Sequence, residues 1–180
     1  GKDGVDVVPC AYERVYIQWS PRGEGTGAPV SVYKTKDECP EFERSTEDNK
    51  DYLTDGSGQY IEETHQHYVL VLNKDGGADQ ALIAMKSTQL KKSRKWNSMM
   101  LSATIKGKNG LFTPPRFGFV YHMKSVAEEN SKGSWHGWEM SRKDPVSSAD
   151  IYAKAKSFAE SIKKGSVVVK HEKDDNEAPF

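Results

Sequence analysis

Between Ala11 and Trp19 the chain alternates. Ala11, Val15, Ile17 and Trp19 fall on one side of an extended backbone, and Tyr12, Arg14, Tyr16 and Gln18 fall on the other. The first side reads as core, although Glu13 interrupts it. The second sets a guanidinium between two phenols and reads as a surface on which flat ligands can stack. Extended segments are also expected at 29–33, at 59–73 with its apolar centre at Tyr68–Leu72, and at 81–86. Asp75-Gly76 is the dipeptide of a tight hairpin and should join the last two. Further on, Phe117, Phe119, Tyr121 and Met123 alternate with Gly118, Val120 and His122; a turn at 130–133 leads to a partner strand over 132–142.

Helical spacing appears twice. Trp96, Met99, Met100 and Ala103 share one face of a helix that Ser87 or Thr88 can cap and that should run to about Ile105, where Gly107 stops it. That stripe is assigned to the core, with Lys91, Arg94 and Lys95 on an adjoining face. Ser147 or Ser148 opens a second helix, with Ile151, Ala155, Phe158, Ala159 and Ile162 on its apolar side and Gly165 at its end. Residues 21–27 form a Gly-rich loop, 34–58 a charged inserted excursion, and 170–180 a disordered acidic tail.

Without the insertion, the order is three strands, a helix, two strands and a final helix. This predicts a mainly β protein with α: an OB-fold-like five-stranded barrel, with a helix between strands 3 and 4 and an extra C-terminal helix, in one domain over 1–169. A curved α+β sheet with a helix on one side would give a similar string.

At 180 residues the chain can bury a core without staples. Cys10 and Cys39 have no CxxC spacing and are expected to be reduced thiols, with a single bridge left open. No apolar run suggests a membrane span, and the first residues do not read as a signal peptide. A cytoplasmic protein is expected.

Charge changes the picture. The molecule is formally neutral, yet Gln80–Ala127 holds nine Lys and Arg and no Asp or Glu, while 36–79 holds twelve acidic against four basic residues. Trp96, Phe112, Phe117, Phe119 and Tyr121 lie within the basic run. Cations beside flat rings suit a single-stranded nucleic acid, whose phosphates need neutralising and whose unpaired bases stack. The expected phosphate contacts are Lys86, Lys91, Lys92, Arg94, Lys95 and Arg116, with Arg14 between its tyrosines. Stacking is expected from Tyr12, Tyr16 and either Trp135 or Trp138, which sit three apart and so face oppositely on a regular strand.

Two stretches carry a resemblance. The ending Asp174-Asp175-Asn176-Glu177-Ala178-Pro179-Phe180 resembles the acidic tip of bacterial single-stranded DNA-binding proteins, and Tyr12–Arg22 with Ser87–Met100 is similar to phage proteins of that kind. The resemblance implies sequence-independent binding of single-stranded DNA in phage replication, recombination and repair, within the host cytoplasm. It also implies recruitment of replication or recombination proteins through Asp174, Asp175, Glu177, Pro179 and Phe180. Ala178 stands where the bacterial tip has an aliphatic residue, which puts partner choice in doubt. Whether the chain self-associates is left open.

Two rival classes fit parts of the sequence. A metal-dependent nuclease could draw on Glu62, Glu63, Asp75, Asp79 and Lys86, but Met85 stands where a carboxylate would be expected before the lysine. His65 and His67 share a strand face without a third nearby ligand. With no phosphate-binding loop, nucleophile elbow or HExxH helix, no enzyme activity, cofactor or metal is expected. The other rival is a phage structural protein assembling through complementary charged faces.

Overall fold

The computed structural model describes residues 3–131 and 133–165. Its elements run β1 (Val5–Trp19), β2 (Ser31–Tyr33), β3 (Phe42–Arg44), β4 (Asp51–Leu53), β5 (Tyr60–Leu72), β6 (Ala78–Lys86), α1 (Gln89–Leu101), β7 (Ile105–Gly107), β8 (Gly110–Phe112), β9 (Phe119–Asn130), β10 (Gly133–Pro145) and α2 (Ala149–Lys163). The class is mainly β with α, as the patterning predicts. The chain divides into two compact units. One takes in the residues up to Glu13 and those from His65 onward; the other is Arg14–Thr64, which contains the expected 34–58 excursion.

In the first unit the strands are ordered β10-β9-β1-β5, and β6 pairs β5. β9 runs antiparallel to β1, Val5 opposite Met123 and Val7 opposite Tyr121. It is also antiparallel to β10, from Gly133 opposite Asn130 to Arg142 opposite Tyr121. Three strands followed by a fourth that returns beside the first make a Greek key, here β9-β1-β5-β6. The Asp75-Gly76 turn forms as expected: Asn73 accepts the Gly76 N–H, and its own N–H reaches the Gly77 carbonyl at 2.9 Å. Gly76 takes φ +85°, a conformation that costs a glycine little.

Val7, Val69, Met85, Trp96, Tyr121 and Met123 make the centre of this unit's core. α2 buries the five residues expected of it, and Phe158 meets the Tyr68 ring edge-on. Ser148 caps α2 by accepting the Ile151 N–H. α1 differs from expectation at both ends. Thr88 has helical φ and ψ and makes no side-chain cap, and the helix stops at Leu101 rather than near Ile105. Ala103 keeps the helical spacing of the Trp96 face, but the helix has already ended and Ile105–Phe112 pairs as a two-stranded ribbon around Gly107 and Gly110.

In the second unit β1 pairs β2, with Tyr16 opposite Tyr33 and Gln18 opposite Ser31. β5 pairs β4, and β4 pairs β3. Tyr16, Leu53 and Ile61 form a small core, with Tyr33, Cys39 and Phe42 packed against it. The excursion therefore supplies apolar side chains that cover Tyr16, which was expected to stack on a base and is 7% exposed. Gln18 is buried as well, its amide hydrogen-bonded to Gln59 and to the Tyr33 hydroxyl. Both cysteines are free thiols, and burial pushes that of Cys10 up to about 12.

Candidate nucleic-acid interface

α1 has two unlike sides. Ser93, Trp96 and Met100 are buried, whereas Lys91, Arg94, Lys95, Ser98 and Leu101 are exposed. At 3.6 residues per turn the three cations form one outer stripe. None of them makes a hydrogen bond or ion pair among the described residues. The first turn contains no acidic residue, so Lys91 and Lys92 stand against the positive end of the helix dipole. Such placement typically costs about 0.3–1 kcal/mol per charge and raises the local positive potential.

Beneath the stripe, Ser93 Oγ lies 2.8 Å from His65 Nδ1 and 2.7 Å from His67 Nε2. One hydroxyl proton can serve only one of these nitrogens, so the other imidazole must donate to the oxygen. His67 stacks on Trp96 with ring centroids 4.6 Å apart. Burial, aided by Arg116 and His65, pushes His67 down to about 3, so it is neutral at ordinary pH. The two histidines thus lock α1 onto β5. Among the described residues no three or more His, Cys, Asp or Glu are grouped to hold a metal ion.

Tyr12 and Arg116 are brought together, the guanidinium 5.2 Å from the ring centroid. Arg116 also donates to Asn97 Oδ1 at 2.7 Å and lies against Met100. Expected to track phosphates, it is instead half-buried and committed to α1, a long-range partnership that local periodicity does not reveal. Tyr12 is half-buried too, against the rings of His65 and His67.

At the other end of α1, Lys92 is also committed, in an ion pair with Glu128. Glu128 accepts the Trp135 indole N–H at 3.0 Å, so one acid joins two of the predicted residues. Trp135 lies opposite Glu128 and Trp138 opposite Ser125, three positions apart on β10. Trp138 packs against the core, and its backbone N–H donates to Gln89. Trp135 is therefore the better placed of the two for a ligand. Gly137 lies between them, where an added Cβ would collide with Glu128 and crowd Gln89.

Lys86 is exposed at the end of β6. Arg14, exposed, and Tyr16, buried, belong to the second unit, so the expected Tyr12, Arg14 and Tyr16 row is not one open face. Asp174, Asp175, Glu177, Pro179 and Phe180 lie outside the described residues. The expected set omits the ribbon, where Lys106, Lys108, Leu111 and Phe112 are all exposed. Its signal is present in the sequence as lysines and apolar residues around Gly107 and Gly110.

No helix among the described residues is long and apolar enough to cross a membrane. No curated protein and no solved structure matches the chain. A family model described as Pam3 phage gp34-like protein matches residues 1–168. With nearly its whole length covered, the chain belongs to the Pam3 phage gp34-like family of bacteriophage proteins.

Proposed function

We propose that the protein binds single-stranded DNA without sequence preference, as a non-enzymatic component of phage replication, recombination or repair in the host cytoplasm. The observation that carries this is the outer stripe of α1. Lys91, Arg94 and Lys95 are exposed and unpaired among the described residues, within a run that contains no acid. A polyanion laid along this row would neutralise it and offset the placement of Lys91 at the positive end of the helix dipole. Trp135 beside one end of α1 and Tyr12 beside the other are the base-stacking candidates. The Greek-key order, with α1 between the third and fourth strands, supports an OB-type barrel as the scaffold. Recruitment of replication or recombination proteins is assigned to the acidic C-terminal residues.

A gel-shift comparison of single-stranded DNA, RNA and duplex of equal length tests the proposal, run with the wild-type protein and with Lys91, Arg94 and Lys95 changed together to Glu. Strong preference for oligo(dT), lost in the variant, is expected. Equal affinity for duplex would overturn it. The segregation of acid into 36–79 and base into 80–127 favours a second reading, charge-driven assembly of a phage structure. That reading requires salt-sensitive polymers in sedimentation without any nucleic acid.

A further inference from the structure

We propose that the β7–β8 ribbon is a base-gripping arm that extends the single-strand site beyond α1; this rests on the function proposed above. Leu111 and Phe112 are 74% and 49% exposed, large values for apolar residues, and both stand on a ribbon only three residues long on each side. Phe112 lies over Gly107, where an added Cβ would come within 3.1 Å of the ring. The ring thus rests on bare backbone, with about half of the residue's surface left open. Gly107 has an ordinary backbone conformation, so what calls for a glycine here is the room it leaves for that ring.

Lys106, opposite Leu111, and Lys108 at the turn are exposed and have no hydrogen bond or ion pair among the described residues. The nearest acids in sequence are Asp79 and Glu128. An apolar patch on a ribbon whose charged residues are all cations suits a ligand that combines flat uncharged surface with regular negative charge, which is an unpaired polynucleotide. Phe112 stacks on a base, Lys106 and Lys108 neutralise the adjoining phosphates, and Leu111 gives an apolar contact to a neighbouring base or sugar.

The test is oligo(dT) binding by the full chain, comparing wild type with Phe112→Ala, Phe112→Trp and the pair Lys106→Glu with Lys108→Glu. All three positions are exposed, so the variants should melt with the wild type. Phe112→Ala should weaken binding by about 5- to 150-fold, the range expected for one stacked base, and Phe112→Trp should retain it. The lysine pair should flatten the salt dependence by about 1.4 in log–log slope. An iodouracil-substituted oligonucleotide should crosslink to the peptide containing Phe112. If the wild type binds oligo(dT) but Phe112→Ala binds equally well, the arm is wrong and the function stands. If the wild type does not bind, both fall. If Phe112→Ala leaves DNA affinity intact but dissolves a self-associated species in sedimentation, the ribbon is a protein contact and the proposal is overturned.

Discussion

In the second unit Asp48 accepts hydrogen bonds from the Tyr52 hydroxyl and the Lys50 N–H, Asp55 accepts the Ser57 N–H, Glu38 accepts the Lys34 N–H, and Asp51 pairs with Arg44. In the first unit Lys91, Arg94, Lys95, Lys106 and Lys108 have no such partners among the described residues. Both segments are heavily charged, but the acids hold turns and a hairpin in shape, which is ordinary work for Asp and Ser near a chain reversal. The cations hold no turn or hairpin in shape. Charge density alone does not distinguish a ligand-facing surface from a structural one; what distinguishes them is whether the charges are already satisfied from within.

The comparison can be tested at four points. The largest effect is expected inside the second unit, where Tyr16→Ala removes a buried ring and should cost about 3 kcal/mol or more of stability. Oligo(dT) affinity measured where the variant is still folded should not change; a loss would return Tyr16 to the binding surface. Next, reversing Lys91, Arg94 and Lys95 to Glu should weaken single-strand binding at least about a hundredfold, or about 2.7 kcal/mol, with little change in melting temperature. A variant that unfolds but still binds when stabilised would mean those cations have a structural role after all.

A titration probes the side of α1 that faces the core. His67 is pushed from 6.5 to about 3 in the folded protein. Below 6.5 the unfolded chain takes up a proton that the folded chain refuses, so the stability present above 6.5 drains away as pH falls toward 3. The expected slope is about 1.4 kcal/mol per pH unit, and urea titrations stepped across that window measure it. His67→Gln should flatten the slope; an unchanged slope would mean that other groups dominate. The smallest change comes from Glu128→Gln, which frees Lys92 from its ion pair. DNA binding should tighten modestly and its salt slope steepen by about 0.7. No change in slope would mean that Lys92 cannot reach a phosphate even when released.

Short-range periodicity made much of this fold legible. The alternation in β1 and β9, the Asp75-Gly76 turn and the apolar face of α2 all follow from neighbours a few residues apart. What escaped depends on residues far away in sequence. Alternation assigned Tyr16 to a face but could not say that Leu53 and Phe42 would cover it. Lys92 looked like its neighbours until Glu128 arrived from β9, and Arg116 until Asn97 met it from α1. The ribbon was hidden for another reason: Ala103 continues the spacing of the helix past its end, and only the paired glycines mark the change to a turn.

Gly137 has a consequence for how this surface can vary. The room that one more carbon would need on β10 is held by the Glu128 carboxylate and the Gln89 amide. A methyl group there would push the Glu128 carboxylate aside and change how it meets Lys92 and Trp135. A single nucleotide change there therefore alters how a surface cation is paired without altering any charged residue, so the affinity of the protein for polyanions can drift through a position that carries no side chain.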